Sequence, residues 1–180
     1  MADDDLVGLT EGTNMQTHTL TESPIGDLTL VSTDGTLSGL YMRAGRSPKG
    51  PSLGERTSAG FGQAVEELGE YFSGDRREFT ITAAAQGDDF QHRVWALLRQ
   101  IAYGQTRSYG DIARDLGDPA LARAVGLANA RNPISIIVPC HRVVGSDGSL
   151  TGYAGGLERK RYLLDLETPA ENRGPTLFQA

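Results

Sequence analysis

Ser108-Tyr109-Gly110-Asp111-Ile112-Ala113-Arg114-Asp115-Leu116-Gly117-Asp118-Pro119-Ala120-Leu121-Ala122-Arg123-Ala124-Val125-Gly126-Leu127-Ala128-Asn129-Ala130 is the stretch on which the fold turns. Ser108 with Asp111 three residues on forms an acidic variant of the capping box, and Ile112, Ala113 and Leu116 give the following helix an apolar face. In Gly117-Asp118-Pro119, Asp118 can cap a second helix and Pro119 can take its first position. That helix is expected to end near Ala130, because the residue before a proline is biased away from helical backbone and Asn132-Pro133 follows. Two short helices joined by a glycine-containing turn make a helix-turn-helix candidate.

The second helix carries two kinds of surface when its residues are spaced at about 100°. Leu121, Ala124, Val125 and Ala128 share one arc and suit a core. Ala122, Gly126, Asn129 and Ala130 share the other, with Arg123 at its edge. A glycine inside a helix costs about 1 kcal/mol relative to alanine, so Gly126 implies a close approach, either to an external surface such as DNA or to another part of the protein. A helix reading major-groove base edges usually carries several long polar side chains. This row of small residues instead suits backbone approach to DNA, with one arginine able to enter the base stack.

Beyond Asn132-Pro133, the apolar run Ile134, Ile136, Ile137 and Val138 reads as a buried extended segment leading into Pro139-Cys140-His141-Arg142-Val143. Cys140 is the only cysteine. A lone cysteine after an apolar run can be simple core packing. It can also be a nucleophile, which acts as thiolate and needs a neighbouring base or cationic field, and His141 and Arg142 offer both. One cysteine excludes an internal disulfide. With the three histidines, His18, His92 and His141, far apart, no zinc-binding spacing is present. After the cysteine, Gly152-Tyr153-Ala154-Gly155-Gly156 is either a turn or a loop whose main chain approaches a planar ligand. Leu157 to Leu166 reads as a last helix, with Glu167 at its end.

Upstream, Phe90, Val94, Leu97, Leu98 and Ile101 mark one helix face with Trp95 as core, and Ala83 to Asp88 is the connection between halves. Before it lies a small α/β unit. Gly26 to Leu30 and Leu37 to Met42 read as strands around the Asp34-Gly35 turn, and residues 43 to 58 as a loop. Phe61, Ala64, Val65, Leu68 and Phe72 mark a helix stopped by Gly74, with Phe79 and Ile81 as a final strand. The expected organisation is a disordered leader over 1–17, an N-terminal α/β scaffold over 18–85, a functional domain over 86–168 and a flexible tail over 169–180.

Composition is that of an ordinary globular protein, 38% hydrophobic and 22% charged. No apolar run approaches the ~18 residues of a membrane span, and the acidic start is unlike a signal peptide, so a cytoplasmic location is expected. The net charge of -6 conceals an asymmetry. Residues 1–87 hold 6 basic against 13 acidic residues, whereas residues 88–180 hold 11 against 10. The second half therefore permits a nucleic-acid face without requiring one.

Taken in order, Ser108-Tyr109, Ala122-Arg123-Ala124-Val125-Gly126, Asn132-Pro133, Pro139-Cys140-His141-Arg142-Val143 and Tyr153-x-Gly-Gly with Glu167 downstream resemble the O6-alkylguanine-DNA alkyltransferase family. The resemblance covers about residues 88 to 167; Ser23-Pro24-Ile25-Gly26 and Glu70-Tyr71-Phe72-Ser73-Gly74 extend it more loosely into the first half. It implies a ribonuclease-H-like α/β N-terminal domain followed by a mainly helical winged helix-turn-helix domain. It further implies a direct-reversal DNA repair protein that binds double-stranded DNA through the minor groove, flips O6-alkylguanine or O4-alkylthymine out, and takes the alkyl group irreversibly onto its own cysteine. Each molecule then repairs one lesion, as a single-turnover methyltransferase without metal or other cofactor. The protein is expected to be a monomer in solution, with cooperative assembly on DNA as a further possibility, and to work in the cytoplasm or at a bacterial nucleoid.

Residue by residue, the resemblance makes Cys140 the nucleophile and acceptor, and His141 its base through a water, oriented by Glu167. Asn132 holds the segment between recognition helix and site. Tyr109 contacts the rotated phosphate and donates toward the guanine ring. Arg123 fills the vacated stack, with Ala122, Gly126, Asn129 and Ala130 along the DNA. The main-chain carbonyls of Cys140 and Val143 read the exocyclic amine, while Pro139, Val143, Tyr153 and Ala154 line the base pocket. Ala154 stands where some relatives have a serine, so only its main-chain N–H is available. Arg142 receives little weight. The rivals are a non-catalytic binder of alkylated DNA, which Cys140 argues against, a cysteine hydrolase that would turn over, and a DNA-binding regulator without chemistry.

Overall fold

Residues 14–42 and 53–172 are described by the computed structural model. Three strands, β1 (Gln16–Thr21), β2 (Leu28–Thr33) and β3 (Thr36–Met42), form an antiparallel meander, and β4 (Glu55–Arg56) adds parallel to β1, giving the order β3-β2-β1-β4. Asp34 and Gly35 both have positive φ, 50° and 81°. This sign suits a tight hairpin, because it matches the right-handed twist of the strands it joins. Helix α1 (Gly62–Ser73) turns Ala64, Glu67, Leu68 and Tyr71 inward and ends at Gly74 in the left-handed region.

Sequence expectation and structure part at several points in this half. β1 begins at Gln16, inside the stretch expected to be a leader, while residues 1–13 lie outside the described residues. The loop expected over 43–58 is described only from residue 53, and it contains β4. No strand forms at Phe79 and Ile81. The buried Glu67 carboxylate takes the place of a partner strand, accepting from the main-chain N–H groups of Thr80 at 2.9 Å and Ile81 at 3.3 Å and from the Thr80 hydroxyl at 2.5 Å. A side chain thus satisfies donors that alternation alone assigns to a ladder.

The second half is helical, as expected. α2 (Asp89–Leu98) starts in a reciprocal Asp88–Gln91 capping box, and its Trp95 is buried with the indole N–H donating to the Ala128 carbonyl at 2.9 Å. After β5 (Arg107–Ser108), α3 (Tyr109–Asp115) opens with the Ser108–Asp111 capping box. The second helix of the pair is shorter than read from sequence. Asp118 caps a 3₁₀ turn at Pro119–Leu121, and the α-helix itself is α4 (Ala122–Ala130). β6 (Val143–Val144) pairs in parallel with β5, which is all the wing amounts to here, and α5 (Leu157–Glu167) closes the fold. A short 3₁₀ turn at Ala170–Asn172 falls where only a tail was expected.

One hydrophobic core runs through both halves, taking Leu30, Leu40, Leu68 and Tyr71 from the first and Leu98, Ile112, Val125, Ile134 and Leu163 from the second. The outer strand β3 makes the join. Its Leu37 carbonyl accepts from Ala84 N–H at 2.9 Å, Leu40 N–H donates to Pro133 O at 2.8 Å, and Leu40 O accepts from Ser135 N–H at 3.2 Å. The sheet edge therefore positions the residues that lead to Cys140. Among the described residues, no helix is long and apolar enough to cross a membrane.

Candidate active site

Ile134, Ile136 and Val138 are buried, but the segment is not the extended strand the sequence suggested. Ile136 has φ of +71°, and Ile137 N–H bonds to Ser135 O at 2.8 Å, closing a three-residue turn. Positive φ at a β-branched residue costs about 1–3 kcal/mol and persists only where the surroundings enforce it. Asn132 supplies that enforcement. Its Oδ1 accepts from Ile134 N–H at 3.0 Å, and its Nδ2 donates to Val138 O at 2.8 Å, so one amide clamps both ends of the turn. Directly after it, Cys140 N–H bonds to Val138 O at 2.8 Å, and Cys140–Arg142 form a 3₁₀ turn. Cys140 is thus held on a short double turn, itself anchored to β3.

Cys140, His141, Arg142 and Glu167 are all buried. Glu167 sits at the end of α5 and receives every donor in reach. His141 Nε2 lies 2.7 Å from Oε1, Arg142 bonds through Nε to Oε2 at 2.8 Å and through Nη2 to Oε1 at 2.9 Å, and Gly104 N–H reaches Oε2 at 3.3 Å. The Tyr71 hydroxyl donates to Oε1 at 2.7 Å. Burial opposes ionisation of this carboxyl, but its hydrogen bonds to His141 and Arg142 and the Arg142 charge prevail and hold its pKa at about 2. Gly104 belongs to the same arrangement. Its φ is +77°, and a Cβ there would stand 2.8 Å from the Glu167 carbonyl oxygen, so only glycine fits.

The ionised carboxylate fixes the histidine tautomer. It can only accept, so Nε2 carries the proton and Nδ1 keeps its lone pair. Burial lowers the His141 pKa against the opposing pull of Glu167, which keeps the ring neutral and basic at Nδ1. Nδ1 is itself buried and has no hydrogen-bond partner among the described residues. Burial raises the Cys140 thiol, while Asn132, the Lys160 ammonium and Ser135 pull it down. The resting sulfur is accordingly a thiol, with donors and a cation placed to favour the thiolate once a base removes the proton.

Lys160 is a second buried cation that sequence reading missed. Its Nζ donates to Val143 O at 2.6 Å and Thr151 O at 2.9 Å, and it lies about 6 Å from the centres of the Tyr109 and Tyr153 rings. It ties the glycine loop to the residues after Cys140. Tyr109 donates to Thr151 O at 3.2 Å across the same opening. Pro139 and Val143 are buried, Tyr153 is half-buried with its hydroxyl enclosed, and Ala154 is exposed. Arg159 of α5 donates to Ile25 O of the N-terminal half at 2.7 Å and to Gly155 O at 3.0 Å, joining the Ser23–Gly26 turn to this loop.

On α4, Arg123 and Ala130 are exposed, and Ala122 and Gly126 are partly so. A Cβ on Gly126 would meet only Tyr109 ring carbons, at 3.8 and 3.9 Å. Those are ordinary contacts, so internal packing does not require the glycine. Asn129 is a correction. It is 3% exposed and points inward, its Nδ2 donating to Cys140 O at 3.3 Å. Its place on the helical wheel lies between the two arcs, and the core closes over it because the Cys140 turn packs there. Arg142 is the other correction: expected to matter little, it is a buried partner of Glu167 that also donates to Ile101 O at 2.6 Å.

Fold and site together define a protein of an α/β half and a helical half with a helix-turn-helix, and a cysteine, a histidine and a carboxylate buried near their junction. Comparison with known proteins agrees. Residues 17–84 match the ribonuclease-like domain, and residues 89–169 the DNA binding domain, of 6-O-methylguanine DNA methyltransferase. The methylated-DNA--protein-cysteine methyltransferase of Mycolicibacterium paratuberculosis is 50% identical over 157 residues, which span 87% of this chain and 95% of the relative. That of Methanosarcina acetivorans is 44% identical over 151 residues, 83% of this chain and 97% of the relative. The crystal structure of Mycobacterium tuberculosis O6-methylguanine methyltransferase superposes with a TM-score of 0.81 at 47% identity, covering 89% of this chain and 96% of that one. A structure of the same organism's protein in complex with DNA superposes at 0.79 and 47% identity, covering 86% and 96%. The chain belongs to the 6-O-methylguanine DNA methyltransferase family.

Proposed function

We propose that this chain repairs alkylated double-stranded DNA by moving the alkyl group from O6 of a flipped guanine to Sγ of Cys140. The observation that carries the reading is the pairing of a buried thiol with a neutral His141, whose Nε2 is committed to Glu167 and whose Nδ1 is free. His141 Nδ1 takes the thiol proton through a water, and the Glu167 carboxylate, held in place by Arg142, stabilises the imidazolium that results. The thiolate forms the S–C bond as the C–O6 bond breaks, and the electron pair leaves on the guanine. Tyr109 contacts the rotated phosphate and donates toward the ring as that charge arrives. The same displacement serves O4-alkylthymine. A thioether has no route back to the thiol here, so each molecule acts once.

Recognition uses α4 in the minor groove. Ala122, Gly126 and Ala130 let the helix backbone approach, and Arg123 occupies the gap that the flipped base leaves. Pro139, Val143, Tyr153 and Ala154 line the pocket. The Val143 carbonyl accepts from Lys160, and the Cys140 carbonyl from Asn129 and from Val143 N–H, so internal donors orient both where they meet the exocyclic amine. Asn129 therefore aims a base-reading carbonyl rather than touching DNA.

Titration with duplex DNA carrying isotope-labelled O6-methylguanine tests the reading. Label bound to protein must plateau at one methyl group per molecule, with no release into solution. Continued turnover with free methylated product would instead identify a cysteine hydrolase, and no transfer at all a DNA-binding regulator.

A further inference from the structure

Tyr71 lies on α1 in the N-terminal domain, which the sequence marks only as a scaffold. Its ring is fully buried, edge-on to Tyr103 at 6.2 Å and against Phe72 and Phe79 at 5.4 Å. Apolar packing accounts for the ring but not for the hydroxyl. That hydroxyl reaches across the domain junction to Glu167 Oε1, the same oxygen that accepts the His141 Nε2 proton. Oε1 and Oε2 together take five donors, and Tyr71 alone among them comes from the first domain.

We propose that Tyr71 is a positioning residue for alkyl transfer, by which the N-terminal domain holds the Glu167 carboxylate in register with His141. The inference rests on the functional reading above. A donor on Oε1 does two things. It fixes the carboxylate rotamer that faces the imidazole, and it disperses negative charge on the oxygen that would otherwise stabilise the imidazolium more strongly. Tyr71 thereby keeps His141 neutral, with Nδ1 ready to accept, until the thiol releases its proton. The other titratable and charged groups around the ring are Glu167 and Lys160 from α5 and Cys140 and Arg142 from its own turn, with Tyr153 of the glycine loop close to Cys140.

Single-turnover transfer from O6-methylguanine duplex at saturating DNA, followed across pH, tests this in the full chain. Tyr71→Phe keeps the ring and removes the donor. Its rate at neutral pH falls by about three- to tenfold, and the acidic limb of its pH profile, which reports His141 becoming neutral, moves up by about half a pH unit. Phe79→Leu, which loosens the same packing, lowers the melting temperature and leaves the limb in place. A Tyr71→Phe limb that coincides with the parent's overturns the proposal. Independently of how that variant folds, the parent's Tyr71 hydroxyl proton must exchange slowly and move in the NMR spectrum as His141 titrates; a proton indifferent to that titration overturns it equally. Absence of transfer in the parent itself strikes down the functional reading, whereas normal parental transfer with an unmoved limb strikes down only the role of Tyr71.

Discussion

Glu167→Gln slows methyl transfer by about a hundredfold or more, while affinity for duplex DNA changes by less than about twofold. The amide oxygen can still accept from His141, so the ring keeps its place, but the negative charge that stabilises the imidazolium is gone. The proton then has to leave the thiol without an effective base. Rate in the variant therefore climbs with pH toward the thiol's own pKa, which burial raises, whereas the parent is already active at neutral pH. A cost in stability accompanies the change, because Arg142 is 6% exposed and loses its counter-charge. The pH dependence of that stability has a definite sign. The folded carboxyl titrates at about 2, against about 4.3 when unfolded. Its contribution is present above the unfolded value and lost as pH falls through that window. The parent's melting temperature accordingly drops there more steeply than the variant's. Equal losses of transfer and DNA binding would contradict the role given to Glu167.

Arg123→Ala impairs repair of duplex DNA by about ten- to a hundredfold and leaves reaction with free O6-benzylguanine within about twofold. Arg123 is exposed on α4, while the reacting groups are buried behind that helix. Flipping a base costs a few kcal/mol, and each 1.4 kcal/mol no longer offset is about a factor of ten. The free base needs no flipping and so does not sense the arginine. Single-turnover rates on both substrates make the comparison. Equal impairment would place Arg123 in the chemistry or in the fold instead of in the DNA gap.

Local signals were readable where a residue's partner is close in sequence. The Ser108–Asp111 cap and the Gly74 stop are decided within one helical turn. The Cys140–His141 pair was legible for the same reason. What escaped was set by partners far along the chain. Tyr71 falls on the apolar stripe of α1 and reads as packing, yet its hydroxyl meets a carboxylate 96 residues away. Glu67 is buried by hydrogen bonds from Thr80 and Ile81, which lie beyond the end of its helix. Arg142 and Lys160 carry the two commonest surface charges, and only the enclosing fold supplies Glu167 for one and the Val143 and Thr151 carbonyls for the other. Ile134 to Val138 was apolar enough for a strand, but the Asn132 clamp folds it into a turn. Family resemblance placed Glu167 correctly beside His141; no spacing rule could have done so.

The central claim is that Cys140 is consumed as a reagent. Intact-mass measurement followed by peptide mapping, after incubation with a slight excess of O6-methylguanine duplex, addresses it most directly. The protein gains the mass of one CH₂, the whole gain maps to Cys140, and Cys140→Ser gains nothing while still binding DNA. Unmodified Cys140 in folded, DNA-bound protein, or a methyl group mapped to any other residue, would contradict it.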